Sequence, residues 1–415
     1  MLEDKVLAHI GSSKDELIQL AMDLIRIPTV DPPGKNYAEF SDFVVEWLSN
    51  AGLEVEVVAV TEHLDELLQP EASGPRFNIL AKLRGSTRRP ILHFNGHYDV
   101  VPPAAGWSKD PFNPVVEEGR LYGLGATDMK GSLSAMMMAA KALAECDVKL
   151  KGDLAISLTP DEEYFSRAGI RYLFDRNLIE ADYAIVGEPS GVSSIVVGQK
   201  GALWGQITTY GMSAHGSTPS QGVNAFEKLA RVAVAIEERL KPRLAKRTSK
   251  YRFRPEGENK PTIMLGGMVQ GANRNRTAVP EWCSMSFDRR VIPEETLEEA
   301  EIELRALLEE LEKEDKELKV ELELRRKARG FVVAPETEIC TSLRESVRQV
   351  TGDDPAFAVT AGWTESVYFY ELGAQAVVYG PGSRHCAHAE DEYTYVNDLH
   401  AASKIYALTI LKLLS

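Results

Sequence analysis

Several features that mark specialised classes of protein are scarce in this sequence. It has only four cysteines, Cys146, Cys283, Cys340 and Cys386, which lie far apart and form no CxxC pair. This spacing favours free thiols in a reducing compartment. No apolar run approaches the roughly 18 residues of a membrane span. The first 30 residues are amphipathic and charged throughout, unlike a signal peptide. We therefore predict a cytoplasmic protein without a membrane partner.

Positive charge is scarce as well. The chain has 47 lysines and arginines against 62 aspartates and glutamates, which gives a formal net charge of −15. A nucleic-acid partner is not expected, because phosphate binding requires a basic face. No internal repeat or low-complexity segment is present. With 415 residues and 44% hydrophobic residues, the chain has enough apolar material for a core and is long enough for two domains.

Residues 91–102 give the first indication of a site. They begin as an apolar run with β-branched residues, which predicts a strand buried in an α/β sheet. They end in Gly96, His97, Asp99 and Pro102, and ligands of open α/β sheets bind beyond the carboxyl ends of strands. Positions i and i+2 of an extended segment share a face. His97 is therefore a candidate metal ligand, and Asp99 a neighbour that contacts the same site or orients the ligands. The alternative is that His97 is an ordinary histidine at a strand end, with hydrogen bonds to its ring nitrogens and no metal.

Carboxylates recur where later predicted elements meet. A glycine-rich loop precedes a predicted helix at 132–145, and two further predicted strands end in acidic residues; the carboxylates are Asp128, Glu162, Glu163 and Glu188. A phosphate-binding loop is the competing interpretation of the glycines, but their spacing matches neither a P-loop nor GxGxxG. Isolated acidic residues at strand ends are usually solvated. Their recurrence after successive buried strands predicts a metal cluster.

The pattern of predicted strands and helices changes between about 197 and 327. A strand, a helix, two strands, a helix and a final strand predict a separate α+β layer of ferredoxin-like type. The charge run at 294–317 is most simply a solvated helix face held by i,i+4 pairs, with an acidic interaction tail as the alternative. Residues 328–415 again have the pattern of predicted helices and buried strands that is typical of an α/β fold. We therefore predict one domain formed by 1–196 and 328–415, with 197–327 inserted.

The candidate side chains suit a pair of divalent ions. Two imidazoles and three carboxylates match borderline cations such as zinc; these residues are His97, Asp128, Glu163, Glu188 and His388. A bridging carboxylate holds two ions about 3.5–4 Å apart with a shared water. That water needs a general base, and in Glu162-Glu163 one carboxylate can bind metal while the other takes the proton. A purely structural metal site would need closed coordination and no spare carboxylate.

Six motifs occur in the order seen in one known family. They are GHYDVVP at 96–102, DMKG at 128–131, DEE at 161–163, GEPS at 187–190, AHGSTP at 214–219 and AHAEDEY at 387–393. With these motifs the chain resembles the di-zinc aminoacylase/carboxypeptidase family, which includes acetylornithine deacetylase, succinyl-diaminopimelate desuccinylase and glutamate carboxypeptidase. The resemblance covers nearly the whole chain. It implies an α/β, zinc-peptidase-like three-layer catalytic domain with an inserted ferredoxin-like dimerisation domain, or lid.

The resemblance also implies the ligands of two metal ions. His97 and His388 would be terminal ligands, one for each ion, and Asp128 would bridge the two. Glu163 and Glu188 would complete the two sites. Zinc is the expected metal, with cobalt and manganese as alternatives.

Three further residues receive catalytic roles from the resemblance. Asp99 would orient His97, and Glu162 would be the general base. His215 would reach from the inserted domain across a homodimer interface, to polarise the scissile carbonyl and stabilise the oxyanion.

The residues expected to contact the substrate match the family pattern less regularly than the metal ligands do. The candidates are Arg290, Asn273, Asn275 and Thr364. Arg290 matches an arginine that family members use for the substrate carboxylate. Thr277 occupies the place where the lid normally has an asparagine, so both nearby asparagines remain candidates. Leu124 replaces an arginine that usually lies between the glycines before the bridging aspartate. Residues 364–366 read Thr-Glu-Ser, where desuccinylases have an arginine-containing motif, and are closer to the deacetylase pattern.

The sequence therefore predicts a metal-dependent amidohydrolase that cleaves the N-acyl amide of an amino acid. Its nucleophile would be a hydroxide that bridges the metal ions, with a glutamate as general base. A carboxypeptidase or dipeptidase of the same family, acting on a dipeptide, is the alternative. A non-catalytic metal-binding homologue is disfavoured by the retention of Glu162 and His215. A cation-dependent phosphatase is disfavoured because no basic cluster awaits a phosphate.

Overall fold

The computed structural model describes residues 2–69, 71–272 and 275–415. The chain divides into two compact units. The first contains the chain up to Val197 together with Val333–Phe357 and Thr364–Ser415, and the second contains Gly198–Val332 and Ala358–Trp363. Among the described residues, no helix combines the length and the apolar character needed to cross a bilayer.

The described chain contains both helices and strands. The helices are α1 Leu2–Ser12, α2 Lys14–Arg26, α3 Tyr37–Asn50, α4 Leu64–Leu67, α5 Lys130–Glu145, α6 Ile170–Asp175, α7 Ala225–Ala235, α8 Lys241–Leu244, α9 Leu297–Glu314, α10 Glu338–Thr351, α11 Ser366–Glu371 and α12 Val396–Leu414. The strands of the amino-terminal half are β1 Glu54–Val60, β2 Arg76–Leu83, β3 Arg88–His97, β4 Val115–Glu117, β5 Arg120–Tyr122, β6 Gly152–Thr159, β7 Tyr183–Val186 and β8 Ser194–Gln199. The later strands are β9 Gly201–Tyr210, β10 Phe253–Arg254, β11 Thr262–Gly271, β12 Trp282–Val291, β13 Lys319–Ala328, β14 Phe331–Val332, β15 Ala356–Thr360, β16 Gln375–Val378 and β17 Tyr393–Tyr395.

The first unit is organised by one large sheet. Its strand order begins β1-β2-β6-β3-β7-β16-β8. Strands β6, β3 and β7 are neighbours and run parallel, with His97 paired to Thr159 and Asn95 paired to Val186. All eight residues of β6 are buried, as expected of a parallel strand covered on both faces. The carboxyl ends of three buried strands therefore lie side by side at one edge of the sheet.

Helices pack against this sheet and against one another. The helix predicted at 132–145 is confirmed as α5, and most of it is buried in the core, including the run of alanines and methionines at 135–140. It packs against α2 and α12. Helices α1 and α2 are separate. The hydroxyls of Ser12 and Ser13 donate to the carbonyl of His9, and such local bonds compete with helix continuation.

The second unit has a ferredoxin-like topology. Its elements follow the sequence β9, α7, β11, β12, α9 and β13, and its antiparallel sheet has the order β11-β12-β9-β13. The two helices cover an apolar core that includes Ile207, Val232, Phe287 and Leu304. This is the strand and helix order that the sequence predicts.

The acidic segment of this unit is a helix rather than a tail. Helix α9 begins after Thr296, whose hydroxyl accepts from the Glu299 amide while the Glu299 carboxylate accepts from the Thr296 amide. Its apolar side is buried in the unit core, through Leu304, Leu307 and Leu311. The charged residues thus form a solvated face.

Candidate metal centre

The three parallel strands bring three motif segments to the same edge of the first unit. His97 is the last residue of β3. Glu162 and Glu163 lie in a short 3₁₀ turn after β6, and Glu188 lies two residues after β7. Parallel neighbours end at one edge, so side chains far apart in sequence meet there.

Two imidazoles and three carboxylates form a continuous cluster at this edge. His97 Nε2 lies 3.1 Å from Asp128 Oδ1 and 3.6 Å from Glu188 Oε1. His388 Nε2 lies 2.8 Å from Glu163 Oε1 and 3.7 Å from Asp128 Oδ2. Asp128 therefore presents one oxygen to each imidazole–carboxylate pair.

Asp99 connects the histidine to the acidic turn. His97 Nδ1 lies 3.0 Å from the Asp99 carbonyl oxygen and 3.5 Å from its carboxylate. The same carboxylate accepts hydrogen bonds from the backbone amides of Glu162 and Glu163, at 3.2 and 3.1 Å. Asp99 thus fixes the ring of His97 and also the backbone of the two glutamates.

A second buried carboxylate holds the loop that carries Asp128. Glu392 Oε1 accepts from the amides of Gly125, Thr127 and Asp128 at 3.1, 2.7 and 3.0 Å. Sequence reasoning includes Glu392 in a motif but gives it no role. The contact spans about 265 residues of chain, which no local pattern reveals.

The electrostatics of the cluster are those of crowded, buried acids. Burial raises the pKa of Glu162 well above its usual value, and the Glu188 carboxylate adds to the rise. Burial and the Asp128 carboxylate raise the pKa of Glu188 to about 8. A hydrogen bond with Glu163 raises the pKa of His388 to about 9. Carboxylates that disfavour each other's charge are stabilised together by a cation.

The donor set fits divalent metal ions. The potential ligand atoms of His97, Asp128 and Glu163 lie within 4.8 Å of one another, and so do those of His97, Glu162 and Glu188. Imidazole nitrogens with carboxylate oxygens are the donors that zinc and similar borderline cations prefer.

The predicted catalytic residue His215 and the predicted substrate contact Arg290 lie in the second unit. His215 is exposed there, with Nδ1 2.8 Å from the Ser217 hydroxyl. Arg290 pairs with Asp288, at 2.7 Å between Nε and Oδ1, and its guanidinium lies 5.0 Å from the ring centroid of Trp204. Their contribution to catalysis and binding stays a prediction.

The remaining substrate candidates have varied positions. The Asn275 side-chain oxygen accepts from the amide and the hydroxyl of Thr277, both at 3.1 Å. Thr364 is buried, and its hydroxyl lies 2.5 Å from that of Ser366. Asn273 lies outside the described residues. A contact of these residues with substrate also stays a prediction.

The structure adds buried residues that sequence reasoning did not select. Glu365 is fully buried, and its carboxylate accepts from the Asn95 amide group and, at 2.6 Å, from the Ser166 hydroxyl. Arg76 is also fully buried and pairs with Asp161, the residue before the two glutamates. A lone arginine at the start of a strand carries no motif signal, so its partners become visible only in the fold.

Comparison with known proteins gives a consistent result. The sequence model described as Peptidase family M20/M25/M40 matches residues 93–412. The succinyl-diaminopimelate desuccinylase of Methylococcus capsulatus is 30% identical over 415 residues, which cover 96% of this chain and 99% of that protein. A metallo-carboxypeptidase of family M20 from Sulfolobus solfataricus has the same fold, with a TM-score of 0.73, 20% identity, and coverage of 96% of this chain and 99% of that one. A dinuclear metal-binding peptidase of family M20 from Bacillus subtilis superposes with a TM-score of 0.68 at 14% identity, covering 97% of this chain and 99% of that one.

The fold, the donor cluster and these similarities define the class of protein. It is a metal-dependent hydrolase of amide bonds, a deacylase or a peptidase. The chain belongs to peptidase family M20/M25/M40, whose model matches more than three quarters of it.

Proposed function

We propose that this protein is a deacylase that hydrolyses the N-acyl amide of an amino acid. The observation that carries the proposal is the position of Asp128, with one oxygen toward each of two imidazole–carboxylate pairs. The desuccinylase activity named for a relative 30% identical along almost the full chain supports a deacylase. A dipeptidase or carboxypeptidase is the second candidate, supported by the fold shared with a metallo-carboxypeptidase.

The proposed centre divides into two halves that share one residue. His97 and Glu188 would hold one ion, and His388 and Glu163 the other, with Asp128 common to both. Zinc is the expected metal, with cobalt and manganese as alternatives. Two such ions, when bound, supply a Lewis acid for the scissile carbonyl and lower the pKa of a bound water.

The other residues of the chain move protons and orient groups. Glu162 accepts a proton at its carboxylate and returns it to the leaving amine. Asp99 keeps His97 in one tautomer and orientation. His215 donates a hydrogen bond to the oxyanion, and Arg290 binds the carboxylate of the amino acid.

We further propose that the second unit is the dimerisation domain, inserted into the catalytic one. Its strand β11 lies at an edge of the sheet and exposes Met264, Met268 and Val269, each more than half accessible to solvent. An exposed apolar edge strand invites pairing with another chain. A second copy of this chain would cover it. All four cysteines are free, which supports a reducing, cytoplasmic location.

A panel of amides tests the proposed activity. N-acetylornithine, N-succinyl-diaminopimelate, other N-acyl amino acids and simple dipeptides would be incubated with the protein, with added zinc or cobalt and again after chelation. We expect release of a free amino acid from an N-acyl substrate, loss of that activity on chelation, and recovery when metal is restored. Hydrolysis of dipeptides alone would establish the peptidase instead. No hydrolysis of any substrate by protein that binds two ions per chain would contradict both.

A further inference from the structure

The loop that carries Glu162 and Glu163 has a strained backbone. It connects β6 to α6, and three of its non-glycine residues have left-handed conformations: Asp161 at φ 61°, Phe165 at φ 72° and Ser166 at φ 57°. Residues other than glycine rarely adopt this backbone conformation, so the surroundings of the loop must impose it. Without its outside contacts, this loop would relax to a different course.

Arg76 provides several of these outside contacts. Its Nε lies 2.7 and 2.9 Å from the two carboxylate oxygens of Asp161. Its Nη2 donates to Asp31 at 3.1 Å, and its Nη1 donates to the carbonyls of Ser73 and Gly74 at 2.8 and 3.1 Å. The guanidinium therefore uses every nitrogen, and its planar fork has no equivalent in lysine.

This ion cluster is withdrawn from water. The side chains of Arg76, Asp31 and Asp161 are 0%, 1% and 4% exposed. Two buried carboxylates are tolerated only when a cation accompanies them, and removal of one partner leaves an uncompensated charge. The carboxylate of Asp99, which holds the amides of Glu162 and Glu163, lies close enough to repel both acids. Loss of the arginine would thus remove the hydrogen bonds that hold Asp161 in its present position.

We propose that Arg76 is a positioning residue for the reaction: its guanidinium, held between Asp31 and Asp161, fixes the loop that presents Glu162 and Glu163. The inference rests on the proposed function, which makes Glu162 the base and Glu163 a ligand. Arg76 contacts neither residue and acts through Asp161. A displacement of the loop by a fraction of an ångström changes the geometry of proton transfer and of one metal site, because both residues follow Asp161 directly.

The test compares Arg76→Met and Arg76→Lys with the control Arg84→Met. Arg84 follows the last residue of the same strand, β2, and pairs with Glu54 and Asp153 at 2.8 and 2.9 Å. Each variant is measured for thermal unfolding, for kcat and KM, for the affinity of both metal ions by competition with a chelator, and for hydrogen exchange at the amides of Glu162 and Glu163.

We expect Arg76→Met to lower kcat roughly 100-fold with KM changed less than about threefold. The weaker-bound metal ion should lose roughly tenfold in affinity, and the two amides should exchange faster. Arg76→Lys should recover part of the loss, and Arg84→Met should match the wild type in all readouts except unfolding temperature. A purely structural role would change the unfolding temperature alone.

A folded Arg76→Met variant with wild-type kcat, metal affinity and amide exchange would overturn the inference. If that variant does not fold, Arg76→Lys is judged by the same criteria. If the wild type hydrolyses none of the substrates, the proposed function fails, while metal affinity and amide exchange still decide the role of Arg76.

Discussion

At the scale of single residues, two adjacent glutamates have different partners. Glu163 contacts His388 at 2.8 Å, whereas the ligand atom of Glu162 lies within 4.8 Å of those of His97 and Glu188. Asp99 holds the backbone amide of each. The pair therefore allows a matched experiment in which the same change is made at neighbouring positions.

Glu162→Gln should lower kcat by roughly 10²–10⁴-fold, because the amide is isosteric but cannot take a proton. Two metal ions should remain bound. Glu163→Gln, the matched variant, should instead lose one of the two ions to a mild chelator. The measurements are steady-state kinetics and metal content per chain. A Glu162→Gln enzyme with wild-type turnover would exclude Glu162 as the base.

At the scale of elements, the backbone contacts around a helical glycine determine whether its replacement by alanine stabilises or destabilises the protein. Gly131 is in the first turn of α5, directly after the Asp128 loop, and its amide donates to the Gly125 carbonyl at 3.2 Å. A Cβ atom there would lie 2.2 Å from the Ala126 carbonyl oxygen. Gly11, within α1, has no atom within 4 Å of such a Cβ.

The same substitution should therefore have opposite effects in these two helices. Gly131→Ala should destabilise the protein by about 1–3 kcal/mol, because the backbone of the Asp128 loop must move, and should weaken metal binding. Gly11→Ala should stabilise it by about 0.5–1 kcal/mol, since alanine has the higher helix propensity. Urea unfolding of both variants measures the difference. Equal effects would contradict the close contact at Gly131.

At the scale of the full chain, the proposed dimer can be tested with two variants, each of which changes one residue in a different unit. Glu162 belongs to the first unit and His215 to the second. If His215 acts across the interface, a heterodimer of two inactive variants contains one complete site.

Glu162→Gln and His215→Ala homodimers should each be inactive, and mixing them under conditions of subunit exchange should restore about a quarter of the wild-type activity. Half of the mixed dimers are heterodimers, and each of these has one functional site of two. Activity is measured after exchange, with sedimentation to verify the dimer. Mixtures that stay inactive although heterodimers have formed would place His215 in the site of its own chain.

Much of this protein follows from local patterns in its sequence. Buried strands are marked by apolar runs, so β3, β6 and β7 and the polar residues at their ends are recognisable. The ferredoxin-like order of the second unit follows from the alternation of period-2 and period-3.6 segments. His97, Asp128, Glu163, Glu188 and His388 are recognisable as candidate ligands because metal chemistry restricts the residue types.

The support around these side chains depends on distant parts of the chain. Arg76 meets Asp31 and Asp161 across 45 and 85 residues, and Glu392 meets the Asp128 loop across about 265. Such pairs leave no periodic pattern in the sequence, because the partner of a buried charged residue becomes its neighbour only in the folded chain. Residue type and local order are thus written in the sequence, whereas the contacts that hold the reactive groups arise only when distant segments pack together.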